Sequence, residues 1–377
     1  MRARLKSTIV GVCLSVLLWL PGCASRPEIG ALAANTAEAP GASSHTILVA
    51  TTRERDGRPG TYFNGERTAA LSFASFTVSV PPKHAVGNVE WPSSAPGNPE
   101  TDFVTRSGEY LDGEKQFVAQ LNQRLKAQPK GQRKVLLFVH GYNTLFPEGL
   151  YRFAQVVHDS RSPAVPVFFS WASRGRSLEY VYDLNSATIA RDGLERTLRL
   201  LAASDADQIN IVAHSMGNWV TVEAFRDIKI SGVVPSPGKI GTIILAAPDI
   251  DIDVFKSEMQ RIGKPKKPYL IVLSEDDRAL GLSRFIAGDK DRLGASGNEA
   301  ELTALGAIVI DLTDVKAMDS SNHSKFAQLA QIGPDLTKVL EKGIPREKQA
   351  AAGDAATRVL TLPATVLTAP IRILSAR

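Results

Sequence analysis

The residues best able to do chemistry are one serine, one histidine and a choice of aspartates. Ser215 stands in Ala213-His214-Ser215-Met216-Gly217, directly after the apolar run Ile209–Val212 and before a helix-compatible stretch from Asn218 to Asp227. Such a strand–turn–helix lifts a serine hydroxyl above the sheet, in a turn so tight that the residues two before and two after must be small. Ala213 and Gly217 meet that demand. A hydroxyl becomes a nucleophile only beside a base. Of the six histidines, His45, His84, His140, His158 and His214 precede Ser215, and only His323 follows it, in a polar loop after the last apolar run. Around such a turn the chain order is nucleophile, acid, histidine. The acid that orients the imidazole therefore falls between Ser215 and His323.

Asp277 is the first choice, in Ser274-Glu275-Asp276-Asp277-Arg278-Ala279-Leu280 after Tyr269–Leu273, and Asp276 is the second. Asp249, Asp251 and Asp253, after Ile243–Ala247, are the alternatives from the preceding strand. Their alternate spacing also resembles a calcium loop. Val254 then occupies the sixth position, where an EF-hand needs Gly, and Gln260 the twelfth, where it needs Glu. Acyl transfer needs donors for an oxyanion as well. His140-Gly141-Tyr142-Asn143 follows Val135–Val139, so the backbone N–H groups of Tyr142 and Met216 are the expected donors. His140 is read as a buttress of that loop, with Gly141, Asn143, His214 and Gly217 as supporting residues. No His/Asp/Glu cluster has ligand spacing, so neither a metal nor an organic cofactor is expected.

These residues need a scaffold that brings distant loops to one edge. Six short runs, apolar but for Ser170 and Asp311, provide it: Val135–Val139, Val167–Trp171, Ile209–Val212, Ile243–Ala247, Tyr269–Leu273 and Ala307–Leu312. Strands apolar on both faces belong to a parallel sheet covered by helices. Between them lie helical patterns, such as Leu150, Phe153, Ala154 and Val157 behind Pro147, and Leu194, Leu198 and Leu201. Residues 172–192, with Leu178, Tyr180, Val181 and Tyr182, read as an amphipathic helix on the sheet, or else as lining for an acyl pocket. Thr46–Ala50 and the alternating Phe76–Val80 are strand-like. The expectation is one doubly wound α/β domain with a mostly parallel sheet and helices on both faces.

The chain has 377 residues, of which 44% are hydrophobic and 22% charged, ordinary for a globular protein. The formal net charge of +5 is concentrated at the ends. Arg2, Arg4 and Lys6 supply three positive charges and the tail from 345 a net three more, which leaves residues 7–344 one charge negative. Nothing here suggests a nucleic-acid partner. The two cysteines, Cys13 and Cys23, lie near the start and exclude a disulfide scaffold, a four-cysteine zinc site and an iron–sulfur cluster. Residues 1–22 read as an export signal, basic and then apolar from Thr8 to Leu20, too short to span a bilayer. Leu20-Pro21-Gly22-Cys23 resembles a bacterial lipobox. That resemblance implies acylation of Cys23, with Ala24 pointing to the outer membrane and the periplasm; a secreted or periplasmic protein is the alternative. Residues 23–44 are read as a flexible tether, 45–343 as the domain, and 344–377 as a tail that is disordered, docked or in contact with lipid.

The stretches Phe138-Val139-His140-Gly141-Tyr142-Asn143, Ala213–Trp219 and Ser274–Leu280 together resemble the bacterial alpha/beta hydrolases of unknown function, domain of unknown function 900, within the esterase/lipase superfamily. The resemblance covers about 45–343. It implies the α/β-hydrolase fold, a serine hydrolase acting on a small-molecule or lipid ester, and Asp277 as the acid. An acyltransferase on the same site, a peptidase and a non-catalytic envelope lipoprotein are the competing classes. Substrate and oligomeric state do not follow from it.

Overall fold

The computed structural model describes residue 26 and residues 29–232, 238–263, 267–295, 299–317, 319–330, 357–360 and 371–375. The expected export signal and Cys23 lie outside the described residues. Among the described residues eleven strands form a single sheet. They are β1 (Ser43–Asp56), β2 (Tyr62–Val80), β3 (Val104–Leu111), β4 (Lys134–Val139), β5 (Val165–Ser170), β6 (Gln208–His214), β7 (Ile240–Ala246), β8 (Tyr269–Leu273), β9 (Ile308–Asp311), β10 (Thr357–Leu360) and β11 (Ile371–Ser375). Their spatial order is β10-β11-β9-β8-β7-β6-β4-β5-β1-β2-β3. From β9 across to β1 every neighbouring pair is parallel. Antiparallel pairs close both ends. All six apolar runs are strands of the parallel part.

Among the described residues seven α-helices connect or cover these strands: α1 (Gly113–Leu125), α2 (Phe146–Ser160), α3 (Tyr180–Ala203), α4 (Gly217–Ser231), α5 (Ile252–Ile262), α6 (Arg278–Ile286) and α7 (Glu299–Ala304). The strands alternate their side chains between two cores. Val135, Leu137 and Val139 of β4 pack with α1, α3 and α4, through residues such as Phe117, Leu194 and Val220. Phe138 points the other way, against Phe153 and Leu150 of α2. Chain direction away from β4 reverses here: β5 lies on one side of it and β6 on the other. A parallel sheet opens a crevice at such a reversal, outside the carboxyl ends of the strands. The loop after β4 and the turn after β6 both end there.

One expectation about the boundaries is corrected. Residues 29–42 are not a free tether. Leu32 is fully buried among Ile47, Phe63 and Phe76. Its N–H donates to Gly60 O (2.8 Å), and Asn35 N–H donates to Thr105 O (2.9 Å). Arg106 Nη1 donates to the carbonyls of Asn35 and Ala37. The Ala- and Pro-rich composition hid this because the arm docks chiefly through its backbone. The tail likewise contributes to the body: β11 pairs with β9 and buries Ile371 and Ile373. The rest of the tail outside β10 and β11 lies outside the described residues.

Leu32→Ala should lower the free energy of unfolding by about 2–5 kcal/mol, the usual cost of emptying a buried leucine site. Urea denaturation reads this directly, and a freely moving arm would leave the midpoint where it is.

Candidate active site

The turn between β6 and α4 is held in a conformation that a serine rarely adopts. Ser215 has φ of 54°, in the left-handed region. Its N–H donates to Ala246 O (3.0 Å). Its carbonyl accepts from the Asn218 N–H, from Asn218 Nδ2 (2.8 Å) and from the Asp249 N–H (3.2 Å). Asn218 Nδ2 also donates to Ala246 O (2.9 Å), which ties the turn to β7. Two glycines let neighbouring backbone approach. A Cβ on Gly217 would lie 2.3 Å from His140 O, and a Cβ on Gly141 would lie 2.6 Å from Ser215 Cβ. The sequence motif thus brings the turns after β4 and β6 into direct contact.

His323 Nδ1 and Asp277 Oδ2 are 2.7 Å apart, with the carboxylate fully buried and the imidazole 16% exposed. Asp277 also caps α6, its Oδ1 accepting from Leu280 N–H (3.0 Å). Burial disfavours the charged imidazole, yet the hydrogen bond and charge of Asp277, aided by Asp249 and Asp319, leave His323 above the ordinary 6.5. The other aspartates face elsewhere. Asp276 accepts from Lys325 Nζ (2.6 Å), Ser274 Oγ (2.5 Å) and Asn322 Nδ2 (2.8 Å). Asp249 is buried with Ser283, Arg292 and Tyr180. Asp251 caps α5, and Asp253 pairs with Lys290. Among the described residues Ser215 Oγ has no hydrogen-bond partner, so the structure gathers Ser215, His323 and Asp277 at one edge without a bond from the serine to the imidazole. Catalytic hydrogen bonds are often long until substrate binds.

The loop after β4 is fixed donor by donor. Asn143 N–H donates to Asp183 Oδ2, Thr144 N–H to Ser173 Oγ, and Leu145 N–H to Glu148 Oε2. Among the described residues, the N–H groups of Tyr142 and Met216 donate to no acceptor. His140 braces this loop from below. Its ring stacks on Trp171 at 5.0 Å, its Nε2 accepts from Trp171 N–H, and its carbonyl accepts from Trp171 Nε1. Burial, then the nearby Arg53 charge, push its pKa down to about 3, so the ring stays neutral. His214 lies between the ring of Phe326, at 4.2 Å, and that of His323, at 4.6 Å. Burial and His323 hold it well below the ordinary histidine value.

Several residues of this edge escaped the sequence reading. Buried Arg53 donates to the carbonyls of Ser173 and Thr144. Buried Lys325 reaches Asp276 and the carbonyls of Leu312 and Thr313, which joins the acid turn to the histidine loop. Arg26 donates to Asn143 Oδ1 and Gly175 O, both at 2.7 Å, and pairs with Glu148. Each pair spans a dozen residues or more and has no local signature. Two cavities open on these loops. One, of about 210 Å³, includes Tyr180, Trp219 and Ile250. The other, of about 170 Å³, includes Gly141, His214 and Ser324.

A mostly parallel sheet with helices on both faces, and a serine raised at its switch point, define the α/β-hydrolase class. Residues 113–341, more than half of the chain, match the family described as alpha/beta hydrolase of unknown function (DUF900), and the chain belongs to that family. No curated protein matches it.

Gly141→Ala places a methyl group against Ser215 Cβ and should displace the serine. A misplacement of about 1 Å costs roughly 10²-fold in rate. Second-order labelling by a fluorophosphonate should fall accordingly while the circular-dichroism spectrum stays native. Labelling at the wild-type rate contradicts the contact.

Proposed function

We propose that the protein is a serine hydrolase of carboxylic esters, with Ser215 as nucleophile, His323 as base and Asp277 as the orienting acid. The observation that carries this reading is the 2.7 Å Asp277–His323 pair, set beside a serine held in left-handed backbone. His323 Nε2 takes the Ser215 proton as Oγ bonds to the ester carbonyl carbon. The carbonyl oxygen gains the electron pair and is held by the Tyr142 and Met216 N–H groups, which have no protein acceptor among the described residues. Collapse breaks the bond to the alcohol, which leaves with the proton from His323. Water then gives a proton to His323 as its oxygen bonds to the acyl carbon; the bond to Ser215 Oγ breaks, Oγ takes the proton back from His323, and the acid leaves. Asp277 keeps the proton of the resting ring on Nδ1 and offsets the imidazolium charge. The N-terminal pattern supports an acylated Cys23 in the bacterial envelope. Labelled palmitate retained by Cys23→Ser would overturn that placement.

Fluorophosphonate labelling together with hydrolysis of a short p-nitrophenyl ester tests the assignment. Ser215→Ala should lose both, and undiminished labelling sinks it. The base must be neutral to act. A folded pKa raised above 6.5 therefore puts the acid limb of kcat/KM above pH 6.5, rising with pH. Asp277→Asn removes the principal cause of the shift, moves the limb down and lowers kcat by about 10⁴. A wild-type limb at or below 6.5 contradicts the pairing.

A further inference from the structure

The 210 Å³ cavity and its surroundings have a chemistry that the triad alone does not require. Tyr180, Leu184, Trp219 and Ile250 form its wall, while Val181, Val254 and Ile286 stand at its solvent side. The apolar surface continues outward. Leu178, 98% exposed, lies one turn before Val181, and Leu282 and Phe285, the latter 78% exposed, share the face of α6 that carries Ile286. The neighbouring charges are paired with one another, Arg284 with Asp289 and Lys290 with Asp253. Val181 and Ile286 meet at the same cavity, and exposed apolar side chains grouped in this way mark an interaction surface.

The cavity also connects to the reacting groups. The Tyr180 ring meets the Tyr142 ring edge-on at 5.1 Å. The Tyr180 hydroxyl donates to Asp249 Oδ2, and the Asp249 N–H donates to Ser215 O. Trp219 N–H donates to Met216 O (3.0 Å). The inner end of the cavity is therefore built on the nucleophile turn and the loop after β4. Arg26, bonded to Gly175 O only three residues before Leu178, sits at the same edge. Cys23 is three residues from Arg26, a span of at most about 10 Å. An acylated Cys23 would hold the bilayer beside this patch.

We infer that the patch of Leu178, Val181, Leu282, Phe285 and Ile286 docks on a lipid bilayer and that the cavity takes one fatty-acyl chain of a bilayer lipid. The inference rests on the hydrolase reading and names its substrate class: a long-chain lipid ester met at the membrane surface. The cavity wall is mainly apolar, with Asp251 and Arg292 also lining it, so most of an acyl chain meets no polar group there, and its Tyr180 and Trp219 side adjoins the loop after β4 and the turn of Ser215.

Two measurements on the full-length chain test it. Trp219 in the cavity wall reports occupancy, so bromine-substituted palmitate should quench fluorescence saturably, and Trp219→Phe should remove that saturable component. Absence of saturable quenching overturns the acyl site. In the second, hydrolysis of phospholipid in phosphatidylethanolamine/phosphatidylglycerol vesicles is divided by hydrolysis of a soluble short-chain ester. Leu282→Ser with Phe285→Ser should lower this ratio by at least about ten-fold, the size of effect expected from losing buried apolar side chains. An unchanged ratio overturns the bilayer face. A concentration-dependent dimer that the double variant abolishes would assign the patch to a second copy and also overturns it. Failure of Ser215 labelling with quenching intact would refute the hydrolase reading and leave the acyl site standing.

Discussion

The contact between two turns, one after β4 and one after β6, governs the geometry of the whole edge. Left-handed backbone at a residue with a Cβ costs about 1–3 kcal/mol and persists only where the surroundings over-determine it. Here they do. Parallel pairing of β6 with β4 and β7 fixes where the strand ends, and Asn218 clamps two carbonyls across the turn. Gly141 and Gly217 remove the two methyl groups that would otherwise force the turns apart. The small side chains of the motif are thus a packing requirement first. The placement of the hydroxyl at the strand ends is its consequence.

Three carboxylates near the site show how environment assigns roles to one residue type. A buried carboxylate must be paired or fully hydrogen-bonded. Asp277 meets this requirement with a helix N-terminus on one oxygen and His323 on the other. Asp276, adjacent in sequence, turns to Lys325 and Asn322 and so braces the two loops that carry Asp277 and His323. Asp249 is buried against Arg292 and Ser283, and burial, the largest influence on it, pushes its pKa up. Its charge reaches His323 only through space. Three acids lie within one neighbourhood, and only Asp277 has a side-chain bond to His323.

What could be read from sequence was what short-range physics writes locally. Nearly continuous apolar runs of strand length point to interior parallel strands, and all six hold one. The residues around Ser215 carry their own steric signature, and chain order singles out His323. The rest lacked such a signature. The arm at 29–42 docks by backbone hydrogen bonds and one leucine, which leaves no period in the sequence. The length of β2, nineteen residues, is obscured by its mixed solvent-facing half. Arg53, Asp183 and Lys325 look like surface charges in a linear reading and are buried by partners far along the chain.

Two of those unread charges, Asp183 and Arg53, also fix the loop after β4. Every backbone N–H removed from water must find an acceptor or remain as a costly donor. Along this loop Asp183, Ser173 and Glu148 accept from residues 143, 144 and 145 in turn. Arg53, which donates to two carbonyls of the same edge, keeps the loop from rotating those donors away. With its successors satisfied, the N–H of Tyr142 faces no protein acceptor among the described residues, and neither does that of Met216 across the turn. On the proposed reading, an oxyanion supplies the acceptor that both lack. Donors already oriented need no reorganisation when charge develops, and this is the condition under which such stabilisation is largest.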